Sequence, residues 1–132
     1  MTTLRWVGAL LLAGCAERVE PAEPVWGKEP CAHCMMLLSE KAPAAQMLLE
    51  GGQRKYFDDV GCMVLFADHE RATPRASWVH AGEGWKAASE ARYAKARTPM
   101  DFGFVAASDG LTFEQMSGEV RRTAMTRGEV MP

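Results

Sequence analysis

Gly51-Gly52 lies between two short runs, Ala44 to Glu50 and Gln53 to Phe57, and no other stretch narrows the fold as much. Glycine enters left-handed backbone without the steric cost of a Cβ. A glycine pair between such runs therefore reads as a two-residue β-hairpin in which both glycines take positive φ. Asp58-Asp59 follows at once and can cap a helix through about His69, with Val60, Met63, Val64 and Ala67 at helical spacing. Pro74 closes that segment. A strand is expected over Ser77 to Ala81. A helix from Trp85 to about Ala96 follows, with Trp85, Ala88, Arg92 and Ala96 on one face. Phe102 to Ala107 is a further strand, Asp109-Gly110 a turn, and Leu111 to Met116 a short helix or turn ended by Gly118. Strands and helices intermixed at this spacing place the chain in the α+β class.

The two ends read differently from this middle. Arg5 precedes an apolar run from Trp6 to Ala13 that ends in small residues before Cys15, the layout of a short export signal. The run is too short for a bilayer, which needs roughly 20 apolar residues. Leu12-Ala13-Gly14-Cys15 resembles the lipobox of bacterial lipoproteins. That resemblance implies a signal peptide over 1–14, a lipid on Cys15 and, with Ala16 rather than Asp next, an outer-membrane anchor facing the periplasm. Residues 15–30 carry Pro21, Pro24, Gly27 and several Glu, and read as a lipidated N-terminus and flexible tether. The folded domain then spans 31–118, and 119–132 is a charged, loosely held tail. With a net charge of −2 and no basic stripe, the chain has no surface suited to nucleic acid, so the lipid alone would hold it to the membrane.

There are four cysteines, and a lipid on Cys15 leaves Cys31, Cys34 and Cys62 in an oxidising compartment. Three is odd, so either one thiol stays free or all three are held reduced by a metal or by burial. Cys62, in the apolar stretch Val60 to Ala67, reads as a small core residue. Cys31-Ala32-His33-Cys34-Met35-Met36 is different, because it packs thiol, imidazole and thioether donors into six residues. Thiolate and thioether sulfur favour Cu(I), and imidazole accepts copper as well. Cys34 is the thiolate anchor, with Met36 on the same side if the segment is extended. His33 is a third ligand or an exposed loop histidine. Asp58-Asp59 reads as a helix cap rather than an acid/base pair, Met47, Met63 and Met116 as core, and His69 and His80 as a helix-end and a strand histidine. Because methionine binds without losing a proton, such a site releases its metal by ligand exchange, which suits transfer rather than turnover.

Taken in order, these segments resemble the NosL family. The resemblance runs through the lipobox, Cys31-x-x-Cys34-x-Met36, and a hairpin opened by Ala45-Gln46. It continues through Tyr56-Phe57-Asp58-Asp59-Val60 before Cys62-Met63, then Trp85-Lys86-Ala87-Ala88, and Thr98-Pro99-Met100 ahead of Gly103-Phe104-Val105-Ala106. It implies a pair of small ββαβ-type units similar to those of the organomercurial lyase. It also implies a periplasmic Cu(I)-binding lipoprotein that acts as a copper chaperone for nitrous oxide reductase, together with an ABC-type maturation complex, with no catalysis of its own. The family's Cys-x-Met ligands correspond to Cys34 and Met36, and Met100 lies in its second methionine-bearing segment. Met35 stands where the family has glycine, a change that bears on the backbone turn and adds a thioether beside the site.

The main rival is a membrane-anchored thiol-disulfide oxidoreductase using Cys31 and Cys34. Its context is poor, since Lys28-Glu29-Pro30 precedes the motif and Ser39-Glu40-Lys41-Ala42-Pro43 follows it, where a thioredoxin-like fold needs a buried strand and a long helix. A zinc site from Cys31, His33, Cys34 and Cys62 lacks a paired knuckle. Covalent haem is disfavoured because Met35, not His, follows Cys34. A structural lipoprotein without metal is the remaining alternative.

Overall fold

The computed structural model describes residues 18–129, so the leader over 1–14 and the lipid site at Cys15 lie outside the described residues. The hairpin, β1 (Ala45–Leu49) and β2 (Arg54–Phe57), forms where expected, but Glu50-Gly51-Gly52 makes the connection and only Gly52 has positive φ, at 83°. The Gly52 amide closes the turn on the Leu49 carbonyl at 2.9 Å, and Leu49 pairs with Gln53. One left-handed residue is all that a three-residue connection of this kind requires.

Helix α1 (Val60–His69) starts at Asp59, whose side chain accepts the Gly61 amide. Residues Val60 to Leu65 are all buried, so most of its girth lies inside the protein. β3 (Pro74–Ala81) begins at the proline expected to close the preceding segment, and β1 lies between β2 and β3. The helix expected from Trp85 to Ala96 does not form. Gly84–Ala87 is β4, paired to β3 with His80 opposite Trp85, and Arg92–Lys95 is β5. The free edge of β3 takes the backbone hydrogen bonds of Gly84–Ala87, and Arg92–Lys95 pairs along its length with Phe104–Ala107. Buried Tyr93 donates its hydroxyl to the Ala88 carbonyl at 2.7 Å, which ties the turn to the core.

β5 pairs with β6 (Phe104–Ala107) as a separate two-stranded sheet. The last element is α2 (Phe113–Thr126), which passes through Gly118 and replaces the loose tail expected from Glu119. A Thr112–Gln115 capping box starts it, and Met116, Val120 and Ala124 form a buried stripe one turn apart. Arg121 locks α2 to α1 through two hydrogen bonds to Asp68, at 2.7 and 3.0 Å.

The described residues thus form an α+β domain with two helices and antiparallel strands in two sheets. Its first half follows ββαβ order. The second gives β4-β5-β6-α2 with no strand after α2 among the described residues, which departs from the expected pair of ββαβ units. The tether reading also fails over its described part. Gln46, fully buried in β1, exchanges two 3.0 Å hydrogen bonds with the Ala22 backbone, and Arg54 and Tyr56 reach the carbonyls of Glu20 and Ala22. Glu23 accepts from both Trp26 and Trp85, whose rings stack with centroids 6.4 Å apart. This segment is a strap across the sheet. No described helix is long and apolar enough to cross a membrane.

Candidate metal centre

The segment Cys31 to Met36 folds into a tight turn. The Cys31 amide donates to the Met36 carbonyl at 2.7 Å, and the Met35 amide donates to the Cys31 carbonyl at 3.0 Å. Turning the chain this sharply puts Met35 at φ 68°, the left-handed region that glycine enters freely and methionine enters at a cost of about 1–2 kcal/mol. A further hydrogen bond, from the Ala32 amide to the Tyr56 carbonyl at 2.8 Å, docks the turn on the end of β2. Asp58 lies just beyond that strand, and Cys62 lies in the first turn of α1.

These elements bring the Sγ atoms of Cys31, Cys34 and Cys62 and a carboxylate oxygen of Asp58 within 4.8 Å of one another. The four residues form a candidate metal site, three of them buried and Cys34 half-buried. A tetrahedral ion with metal–sulfur bonds of about 2.3 Å separates its sulfurs by roughly 3.8 Å, so only a small contraction is needed. No disulfide joins the three thiols.

The amides of Cys34, Asp58 and His33 point at the Cys31 sulfur, and the Met36 amide points at that of Cys34. Such donors stabilise sulfur in its anionic, ligating form. Cys31 is drawn down to about 7, first by the hydrogen bond from Cys62 and then by these amides, against the opposing effect of burial. Cys62 is raised, chiefly as the donor of that same bond and further by burial. Cys34 is pushed up to about 12 by burial, aided by its 3.2 Å hydrogen bond to Asp58 Oδ1 and the nearby Cys31 charge, and opposed by the Met36 amide. The other carboxylate oxygen, Asp58 Oδ2, is buried and has no hydrogen-bond partner. A buried carboxyl oxygen without a partner is costly, and a cation among these donors would relieve it.

Asp59 supports the site. Its Oδ1 caps α1, while Oδ2 accepts from the Thr98 hydroxyl at 2.5 Å and from the Met100 amide at 3.2 Å. The Thr98-Pro99-Met100 loop is thereby tied to the residue beside Asp58. Gly61 is needed in the same turn, because a Cβ there would lie 2.3 Å from the Phe102 ring.

The sequence reading of Cys31 and Cys34 as neighbours in one site agrees with this geometry. Cys62, read as plain core, is buried as expected but also joins the cluster, and Asp58 was missed as a donor because the Asp pair was read as a cap. Only Asp59 caps the helix. The odd cysteine count, and the one-turn spacing of Asp58 and Cys62 across the helix start, were the available signals. The His33 imidazole is not part of the converging set, and its titration is lowered mainly by burial. Met36 is 48% exposed two residues after Cys34, and half-buried Met100 packs against the core. No protein-family model matches the chain, and neither does any curated protein or solved structure.

Proposed function

We propose that this protein is a Cu(I) carrier: a lipid-anchored periplasmic copper chaperone that serves maturation of nitrous oxide reductase and its ABC-type complex. The observation that carries the metal reading is the convergence of Cys31, Cys34, Cys62 and Asp58. Three sulfurs make a soft donor set, which favours Cu(I) among available ions. The periplasmic address and the client rest on the lipobox resemblance and the ordered NosL-like segments, Cys34-x-Met36 and Thr98-Pro99-Met100 foremost.

Copper is the cargo. Cys31 and Cys62 hold it from the inner side, and Cys34 completes the grip from the accessible side. Loading removes thiol protons, and Asp58, already bonded to the Cys34 thiol, is placed to receive one. Met35 and Met36, 68% and 48% exposed, offer neutral sulfur where an incoming site would take over the ion. Exposed methionine side chains of this kind also suit contact with a partner.

One observation favours a second reading, a structural Zn(II) site: the carboxylate of Asp58 is a donor that zinc accepts readily. Thiol-disulfide exchange is less well supported. The thiol held near 7, Cys31, is fully buried, while the accessible thiol, Cys34, is pushed up to about 12 and makes a poor nucleophile at neutral pH. Anaerobic titration of the reduced full chain with Cu(I) and with Zn(II), each against a competing chelator, separates the readings. One tight Cu(I) equivalent that Cys62→Ser abolishes is expected. Tight Zn(II) with only weak Cu(I) binding would install the zinc reading instead.

A further inference from the structure

A second site lies away from the cysteines. Where the four-stranded sheet meets both helices, a slot of about 360 Å³ opens between β1, β3, α1 and α2. Met47 and Met63 supply apolar wall, and Ala67, Ala76, Ala88 and Ser117 stand where larger side chains would close the space. A cavity of about 150 Å³ accommodates benzene, so this one has room for an apolar body of roughly ten carbons.

One polar group in that wall is unexplained. Ser117 is 2% exposed, and its hydroxyl has no hydrogen-bond partner. A serine inside a helix commonly returns its hydroxyl to the carbonyl one turn back, and Ser117 does not. Leaving a buried hydroxyl unpaired is unfavourable, so a ligand oxygen in the slot would gain a ready donor.

The flanking charges select the kind of ligand. Arg121 lines the slot one turn further along α2, but its Nε and Nη2 are both bonded to Asp68. Glu114 lies in the adjoining recess that Ser117 also lines. An anionic head group would therefore meet two carboxylates and an arginine already engaged. We infer that the slot binds a neutral amphiphile, an apolar chain or ring bearing one hydroxyl or carbonyl oxygen, with that oxygen on the Ser117 hydroxyl. This site is independent of the metal reading.

The test titrates the full chain, labelled with ¹³C at its methionine methyls, with 1-octanol and separately with sodium octanoate. The expected result is a saturable shift of the Met47 and Met63 signals by 1-octanol, with exposed Met125 unmoved and octanoate binding more weakly. Ser117→Ala, which removes only the unpaired hydroxyl, should weaken 1-octanol binding by about 3- to 10-fold. The proposal is overturned by the lack of a saturable shift at Met47 and Met63, by equal affinity in Ser117→Ala, or by tighter binding of octanoate.

Discussion

The inner and outer sides of the cysteine cluster are built by different means. Cys31 and Cys62 are fully buried, hydrogen-bonded to each other as thiols, and fixed by the core, the docked turn and the first turn of α1. On the other side, Cys34 is half-buried, and Met35, Met36 and Leu37 stand 68%, 48% and 52% exposed. An ion held only by the inner pair would be hard to remove, and one held only by the outer sulfurs would be lost to solvent. The division suits a carrier: the packed side retains, and the open side exchanges. It also predicts that equal chemical changes on the two sides have unequal effects.

The largest effect should come from the inner side. Cys62→Ser is expected to eliminate the tight Cu(I) site in chelator competition, whereas Met36→Ala should only weaken it. Equal losses from the two changes would break the distinction between the sides. Asp58→Asn comes next, with an expected drop in Cu(I) affinity of about 10- to 100-fold, the range typical when a partner of a ligand is removed. Circular dichroism of the same variant should show the fold retained.

The response to pH sharpens the role of Cys34. Its thiol is pushed up to about 12, so at neutral pH it carries a proton that binding must displace. Cu(I) affinity should therefore rise from pH 6 to pH 8. Because Cys62 also gives up a proton on binding, the rise should be shallower by about one proton in Cys34→Ser, and an unchanged slope there would show that Cys34 stays a thiol.

Two smaller effects test the scaffold on each side. Gly61→Ala on the inner side forces a methyl into the Phe102 ring and should lower unfolding stability by about 1–3 kcal/mol in denaturant titrations. Met35→Gly on the outer side relieves a left-handed methionine and should raise stability by about 1 kcal/mol, with Cu(I) affinity unchanged. A destabilised Met35→Gly protein would mean that the methionine side chain contributes packing that its exposure does not suggest.

What was legible in the sequence follows the range of the forces involved. The hairpin and α1 are local, written in Gly51-Gly52, the Asp59 cap and the spacing of Val60, Met63 and Val64, and they form within a residue or two of expectation. Trp85 to Ala96 misled because its small residues fit a helix in isolation, while the open edge of β3, which decides the matter, comes from elsewhere in the chain. Gly118 suggested a stop, but the Thr112 capping box and the stripe of Met116, Val120 and Ala124 outweigh one glycine. The strap over 18–29 owes its order to Gln46, Arg54 and Trp85, distant partners that its own composition does not reveal. The centre divides the same way. Cys31 and Cys34 are near in sequence and were readable, whereas Asp58 and Cys62 join them only because the turn docks on Tyr56.

X-ray absorption at the copper edge, on the anaerobically loaded full chain and its Cys62→Ser variant, tests the three-cysteine centre most directly. The expected result is a sulfur-dominated shell in the parent protein and the loss of that shell in the variant. A shell dominated by nitrogen or oxygen, or one unchanged by Cys62→Ser, would contradict it.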